Sequence, residues 1–240
     1  MSDDVINHEL STSADDRRAG FGGQGTSFDE PHGESASAEA SIAPARFDEA
    51  YHARPPWDID GPQPEFARLL EQRLIGTRVL DVGCGTGENA LFFAAGGLDV
   101  TGLDASSVAI TRAQTKANQR RLAVRFIHGD ALSLADLGET FDTVTDSGLL
   151  HIFGDTDMGR VTEGVHTVLR PGGRYWLMCF SEHATAPGPR RLTQQRIREL
   201  FQSGWHIHNI KAAQFEILPG RFADLDKHAS AAWLAEIERT

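Results

Sequence analysis

The chain has 240 residues, 40% of them hydrophobic and 24% charged, with a net charge of −11. These are ordinary globular values and enough length for one domain with a sizeable core, while no apolar run approaches the roughly 18 residues that cross a bilayer. Nine acidic but only two basic residues fall within the first 45, so the remainder is mildly acidic, lacks the footprint that phosphate backbones require, and is not expected to bind nucleic acid.

Two cysteines, Cys84 and Cys179, are too few for a metal cluster and lie in apolar, strand-like runs, as buried thiols of a reducing compartment do. No metal is expected. With no basic and apolar leader at its start, the chain is expected in the cytoplasm without a membrane partner.

Residues 1–44 are rich in Ser, Ala, Gly, Asp and Glu. Such a stretch buries too little apolar surface to offset its ordering entropy. It is expected to be a disordered acidic tail, or a lid anchored by Phe21, Phe28 and Ile42, ahead of a domain at 45–240. There "ARFDEAYHAR" has helical spacing until "PPWD" stops it, and "PEFARLLEQRLI" predicts an amphipathic helix opened by Pro64. Strands and helices then alternate. "RVLDVG", "DVTGLDAS", "AVRFIHGDA", "FDTVTDSGLL" and "RYWLMCFS" read as strands. "ENALFFAAGG", "SVAITRAQTKANQRRL", "MGRVTEGVHTVLR" (ended by "PGG") and "TQQRIRELFQSG" read as helices. "WHIHNIKAAQFEIL" reads as a further strand, and "ASAAWLAEIER" fits either a strand or a helix. Helices of this length between strands impose right-handed crossovers. The fold class is therefore α/β: one doubly wound, mostly parallel sheet with helices on both faces, of the Rossmann-like kind.

"LDVGCGTG", residues 80–87, is the turn after the first strand. In such sheets ligands bind beyond the carboxyl ends of the strands, beside this turn. Glycine carries an entropic cost, so three at alternate positions imply a close approach to the main chain. A dinucleotide turn needs G-x-G-x-x-G, but Gly83 and Gly85 are followed by Glu88 at the third place, with Gly87 one residue early. No Gly-Lys-Ser/Thr follows either, which removes a P-loop.

The motif resembles, almost letter for letter, the first motif of the class I methyltransferases that use S-adenosylmethionine. Asp104 in "GLDAS", Asp130 in "HGDA", "FDTVTDSGLLH" and "LRPGGRYWL" follow in register over residues 76–180. The resemblance implies that Gly83, Gly85 and Gly87 carry the cofactor. It implies that Asp104 accepts hydrogen bonds from its ribose and Asp130 from its adenine amine, with Asp81 near its amino group and Asp146 and Trp57 also in contact with it. The plainer readings are that Asp104 and Asp130 cap the turns after their strands and that Asp81 braces the glycine turn.

Asp146-Ser147-Gly148-Leu149 is not the Pro-Pro-aromatic sequence of enzymes acting on DNA bases or protein amides. Instead "YHARPPWDIDGPQPEF", "DSGLLHIF" and "CFSEHATAPGPRRLT" resemble small-molecule enzymes related to thiopurine methyltransferases. The mycobacterial heterocyclic toxin methyltransferases are the nearest of these, a likeness over residues 45–240. It implies methylation of a hydroxyl or ring nitrogen on a planar heteroaromatic, possible detoxification included. A thiol or quinone-type acceptor is the alternative, as is a non-catalytic binder of the cofactor. Tyr51, Phe153, Phe180 and His183 are candidate acceptor contacts, with flat faces that stack on a ring or shield a sulfonium; ordinary packing is the plainer reading, above all for Phe47. Gln63 is a weaker cofactor candidate. His151, past the fourth strand, is the candidate general base because imidazole titrates near neutral pH; His183 and Asp146 compete for that role.

Overall fold

The structure, a computed structural model, describes residues 44–218 and 228–240, so the segment expected as a tail lies outside the described residues apart from Pro44. In chain order the elements are α1 (Pro44–His52), α2 (Pro64–Glu71), β1 (Arg78–Val82), α3 (Glu88–Ala95), β2 (Asp99–Asp104), α4 (Ser107–Arg120), β3 (Val124–His128), β4 (Phe141–Ser147), α5 (Asp155–Val168), β5 (Leu169–Phe180), α6 (Gln194–Leu200), β6 (Trp205–Gln214) and β7 (Ala231–Arg239). Two 3-10 turns, Ala131–Leu137 and Leu150–Ile152, flank β4.

The strands form one sheet in the order β3-β2-β1-β4-β5-β7-β6. The first five are mutually parallel, and β7 runs antiparallel to both of its neighbours. The ambiguous C-terminal segment is thus a strand. Five of its nine residues are buried and none is exposed, because it is inserted between β5 and β6, and that position explains its apolar run.

Successive strand residues point to opposite faces, and β1 distributes its side chains accordingly. Val79 joins Phe66, Leu91, Phe93 and Ile110 in a layer built from α2, α3 and α4. Leu80 and Val82 join Met158, Val161 and Val165 in the layer under α5. Because β1 has β2 on one side and β4 on the other, the winding reverses there and leaves a crevice at the carboxyl ends. Gly83, Gly85 and Gly87 form the turn that leaves β1 at this point.

"PGG" does not end a helix before a strand, as its sequence suggests. β5 begins at Leu169, directly after α5, and the three residues form a bulge: Leu169 opposes Phe141, and Arg174 opposes Thr143. Gly173 is required there, since a Cβ would lie 2.8 Å from the Arg170 carbonyl oxygen and 3.1 Å from that of Asp142.

Close packing also governs β2. A Cβ on Gly102 would meet the Phe126 ring at 2.7 Å and Cys84 Sγ at 3.0 Å. Gly102→Val is therefore expected to lower stability by about 1–3 kcal/mol, measured by urea unfolding of the full chain; an unchanged midpoint would show that Phe126 swings aside at no cost.

Candidate functional site

The glycine turn is held by main-chain bonds from Cys84 N–H to Leu103 O and from Gly87 N–H to Cys84 O. Gly83, Gly85 and Gly87 have φ of +65°, +54° and +86°, which side-chain-bearing residues rarely adopt. Each also faces a different neighbour. A Cβ would meet Leu149 at 2.8 Å from Gly83, the Tyr51 hydroxyl at 2.6 Å from Gly85, and the Phe126 ring at 2.7 Å from Gly87. The sequence suggested a ligand as the reason for bare main chain; the protein's own side chains are a second reason.

Three buried acidic residues lie toward the carboxyl ends of the neighbouring strands β2, β1 and β4: Asp104, Asp81 and Asp146, with Asp81 level with Thr145 and Asp146 one residue further on, on the opposite face. Asp104 Oδ2 accepts from Gly85 N–H at 2.8 Å and Oδ1 from Ser106 N–H at 2.8 Å. Burial raises its pKa against these two bonds. Asp81 Oδ1 accepts from the Thr145 hydroxyl at 2.8 Å, while Oδ2 is buried without a well-formed hydrogen bond; desolvation first, then the neighbouring acids, push this carboxyl up to about 7 against the Thr145 bond and the nearby Ala90 N–H. Asp146 is spent locally. Its oxygens accept from Leu149 N–H at 2.7 Å, Leu150 N–H at 3.0 Å and the Tyr175 hydroxyl at 2.7 Å, and burial raises it to about 6. The candidate cofactor ligand and base is in this structure the brace of the turn after β4.

A cofactor with a cationic end and a sugar fits these residues. The orphaned Asp81 oxygen and the raised carboxyls both call for positive charge, and ionised Asp104 has lone pairs beyond its two main-chain bonds. Asp130 does not join them: it is exposed, and its Oδ1 accepts from Leu132 N–H at 2.9 Å, capping the following turn.

The chain's early segment roofs the crevice. Asp48 on α1 accepts from the Ser106 hydroxyl at 2.6 Å, fixing α1 to the start of α4. Tyr51 is buried, and Trp57, 41% exposed, donates Nε1–H to its hydroxyl at 3.1 Å. Phe47 meets Trp57 edge-on, ring centres 6.5 Å apart. Asp58, which the sequence reading missed, accepts from the Thr86 hydroxyl in the glycine turn at 2.5 Å. Arg112 and Lys116 of α4 each lie 3.9 Å from it, and Lys116 and Arg120 also pair with Glu88. The legible signal was Arg112, Lys116 and Arg120, spaced by four on one helix face. Gln63, considered for the cofactor, instead clamps the segment after β6: Nε2–H donates to Glu216 O at 2.9 Å and Oε1 accepts from Glu216 N–H at 2.8 Å.

Beyond β4 and β5, His151 stacks on Phe180, ring centres 5.1 Å apart and 5° from parallel, and both meet Phe215 edge-on. Phe215, another residue the reading missed, follows an edge strand and carries no motif. Arg191 sits over the Phe180 ring at 5.2 Å. His151 Nδ1 accepts from Phe180 N–H at 2.9 Å, and burial lowers its pKa to about 3 with help from Arg191, which opposes the role of a general base. Phe153 is in the core under α5, not in this wall. His183 is exposed, its ring against Trp233. Cys84 and Cys179 are free. No group of three or more metal-ligating side chains occurs among the described residues, nor among them is any helix long and apolar enough to cross a membrane.

With this geometry in place, comparison with known proteins locates the chain. A family described as "Methyltransferase domain" matches residues 79–173. The chain is similar to a 2-heptyl-1-hydroxyquinolin-4(1H)-one methyltransferase of Mycobacteroides abscessus, 33% identical over 68% of this chain and 73% of the relative. It is similar to a ubiquinone biosynthesis O-methyltransferase of Rhizobium leguminosarum, 32% identical over 75% of this chain and 66% of that one. A solved structure described as "Conversion of a Disulfide Bond into a Thioacetal Group during Echinomycin Biosynthesis" superposes with a TM-score of 0.74 at 35% identity, covering 81% of this chain and 90% of that chain.

The raised Asp81 has a consequence for stability. Between its ordinary value of 3.8 and about 7 the folded protein keeps a proton that the unfolded chain releases, so stability falls as pH rises through that window. Asp81→Asn removes the titration. Its unfolding free energy, from urea melts, is expected to decline less than that of the parent between pH 5 and pH 8, by on the order of a few kcal/mol; parallel declines would refute the assignment.

Proposed function

This chain belongs to the class I S-adenosylmethionine-dependent methyltransferases, and from that premise we propose that it methylates a hydroxyl or ring nitrogen of a small, planar heteroaromatic compound. The observation that carries this reading is the aromatic wall of His151, Phe180 and Phe215 at the ends of β4 and β5, next to the turn that holds the cofactor. Gly83 of that turn packs on Leu149, and Leu149 adjoins Gly148, which lies against His151 and Phe215. A flat ring laid on such a wall gains both apolar burial and stacking. The hydroxyquinolone methyltransferase among the relatives supports the same acceptor class.

S-adenosylmethionine, when bound, supplies a methyl group already activated on a sulfonium. The chain's task is then alignment, which supplies up to ~7–11 kcal/mol in the best intramolecular cases. Gly83, Gly85 and Gly87 keep the main chain open for the cofactor's amino-acid end, Asp81 offers its unpartnered oxygen to the amino group, and Asp104 receives the ribose hydroxyls. Tyr51 and Trp57 close the cofactor side from above. Asp58 and Gln63 hold that roof, one tied to the glycine turn and the other to the segment after β6. Capping an acidic ring hydroxyl with a methyl group removes its charge and its capacity to chelate, which is the basis for proposing a detoxifying role within the cytoplasm. A quinol-type hydroxyl is the second reading, favoured by the ubiquinone-biosynthesis relative.

Incubation with methyl-labelled cofactor and a panel of hydroxyquinolones, catechols and thiophenols tests the acceptor class. Label is expected in the hydroxyquinolones first; transfer confined to thiophenols would overturn the reading. Asp104→Ala is expected to weaken binding of S-adenosylhomocysteine by about ten- to hundredfold, the loss of hydrogen bonds to a charged acceptor. Calorimetry checks this, with melting temperature as the control because Asp104 also ties Gly85 to Ser106.

A further inference from the structure

We infer that His151 is a fixed hydrogen-bond donor to the acceptor's reacting oxygen rather than its base, and that the preferred acceptors are aromatic hydroxyls that reach the site already ionised. The inference rests on the acceptor class proposed above and narrows it.

The imidazole's two nitrogens have separate tasks. Nδ1 accepts from Phe180 N–H at 2.9 Å, so its lone pair is committed and the ring's single hydrogen must be on Nε2. Nε2 is the edge turned to the Gly148 turn: a Cβ there would lie 3.5 Å from it. It has no hydrogen-bond partner among the described residues. Gly148 has φ +87°, and a Cβ there would touch both the imidazole and, at 3.6 Å, the Phe215 ring, so the glycine leaves this edge uncovered by a side chain. An Nε2–H presented there without a partner suits an incoming oxygen that accepts.

Taking up a proton would undo the arrangement. A proton on Nδ1 would face the Phe180 N–H head-on, and Nε2 already carries its own. The charged groups around the ring agree. Arg191 stands behind Phe180; with burial it holds the imidazole neutral, at about 3, and favours an anion nearby. Asp146 has both oxygens bound by Leu149, Leu150 and Tyr175. Asp155, at the start of α5, is paired with Arg190 and Arg196. Glu182 accepts from Trp233 Nε1–H, and His183 is turned outward beside it. Asp81 is bound to Thr145 beneath the glycine turn. Among the described residues no carboxylate or imidazole offers a free lone pair at the Gly148 turn.

An acceptor that arrives as an oxyanion needs none. Its oxygen lone pair forms the new bond to the methyl carbon, the electron pair of the carbon–sulfur bond stays on sulfur, and no proton passes to the protein. The Nε2–H bond holds the oxygen in line and stabilises the anion against its neutral form.

The test is a set of ring-substituted hydroxyquinolones and phenols of graded acidity, assayed with the full chain and saturating cofactor between pH 5.5 and pH 9. The rising limb of kcat/KM is expected to move with each acceptor's own pKa. An acceptor of pKa about 6 should then outrun a phenol of pKa about 10 by roughly a thousandfold at pH 7, the ratio of their ionised fractions. H151Q, which keeps an N–H near the position of Nε2, should stay within about tenfold of the parent, and H151F should lose at least a hundredfold with the limb unmoved.

Two readouts need no turnover. The ring nitrogens of His151 should show the Nε2–H form in 15N NMR, without titrating between pH 5 and pH 9. A chromophoric acceptor bound beside S-adenosylhomocysteine should have its hydroxyl pKa lowered by about one unit or more. A single limb near neutral pH shared by all acceptors and lost in H151Q, or a bound acceptor whose pKa is unchanged or raised, would overturn the inference and leave the acceptor class standing. No methylation across the whole series, with cofactor binding intact, would remove both.

Discussion

Asp104 receives its two hydrogen bonds from main-chain N–H groups of two different turns, Gly85 after β1 and Ser106 before α4. Ser106 in turn caps α4, accepting from Ala109 N–H, and donates its hydroxyl to Asp48 on α1. One buried carboxylate thus sets the spacing between the glycine turn, the second strand and the helix that roofs the crevice. Such a group is expensive to bury unless its bonds are made, and charge-assisted bonds to main-chain donors are the strong kind. The position of Tyr51 over Gly85 and of Thr86 against Asp58 follows from this join, because both depend on where the glycine turn lies.

The glycines then look less like a concession to one ligand than a place where several layers converge. Leu149 comes from the turn after β4, Tyr51 from α1 and Phe126 from β3, and each takes the space one Cβ would fill. Close packing leaves no slack for even a methyl group at such a point. The turn is therefore shaped as much by its neighbours as by what it binds. Asp81 shows the opposite tendency: a buried carboxylate oxygen without a hydrogen-bond partner costs stability, the kind of concession that functional sites make.

The parts of this arrangement that were legible in the sequence are those written in main-chain geometry. β1, its glycines and the acid at the end of β2 occupy adjacent strands, and short-range patterns mark all three. Asp146 was singled out, but nothing in "DSGLL" shows that the N–H groups three and four residues on and a tyrosine 29 residues on would bind its carboxylate. Asp130 likewise has a local partner, capping the turn after its strand as the plainer reading expects. Phe215 and Asp58 were not found because their contacts cross the fold: Phe215 meets His151 and Phe180 from the far edge of the sheet, and Asp58 reaches α4 and the glycine turn from the roof. The bulge at Pro171–Gly173 was hidden because glycine and proline punctuate strands as well as helices.

The two halves of the site accordingly differ in kind. The cofactor half is built on strand ends and helix starts in the parallel part of the sheet, where the fold itself dictates position. The proposed acceptor half is built from side chains on or beside connections, Phe180 as the last residue of β5, Phe215 after β6 and His151 in a 3-10 turn, and connections are where chemistry varies on a constant scaffold. Gln63 joins them. By pairing both its amide atoms with the Glu216 main chain, in concert with Leu218 N–H on Pro56 O, it ties the roof over the cofactor to the segment that carries Phe215. The cofactor side and the aromatic wall are therefore held at a fixed spacing by main-chain and amide hydrogen bonds rather than by the sheet alone.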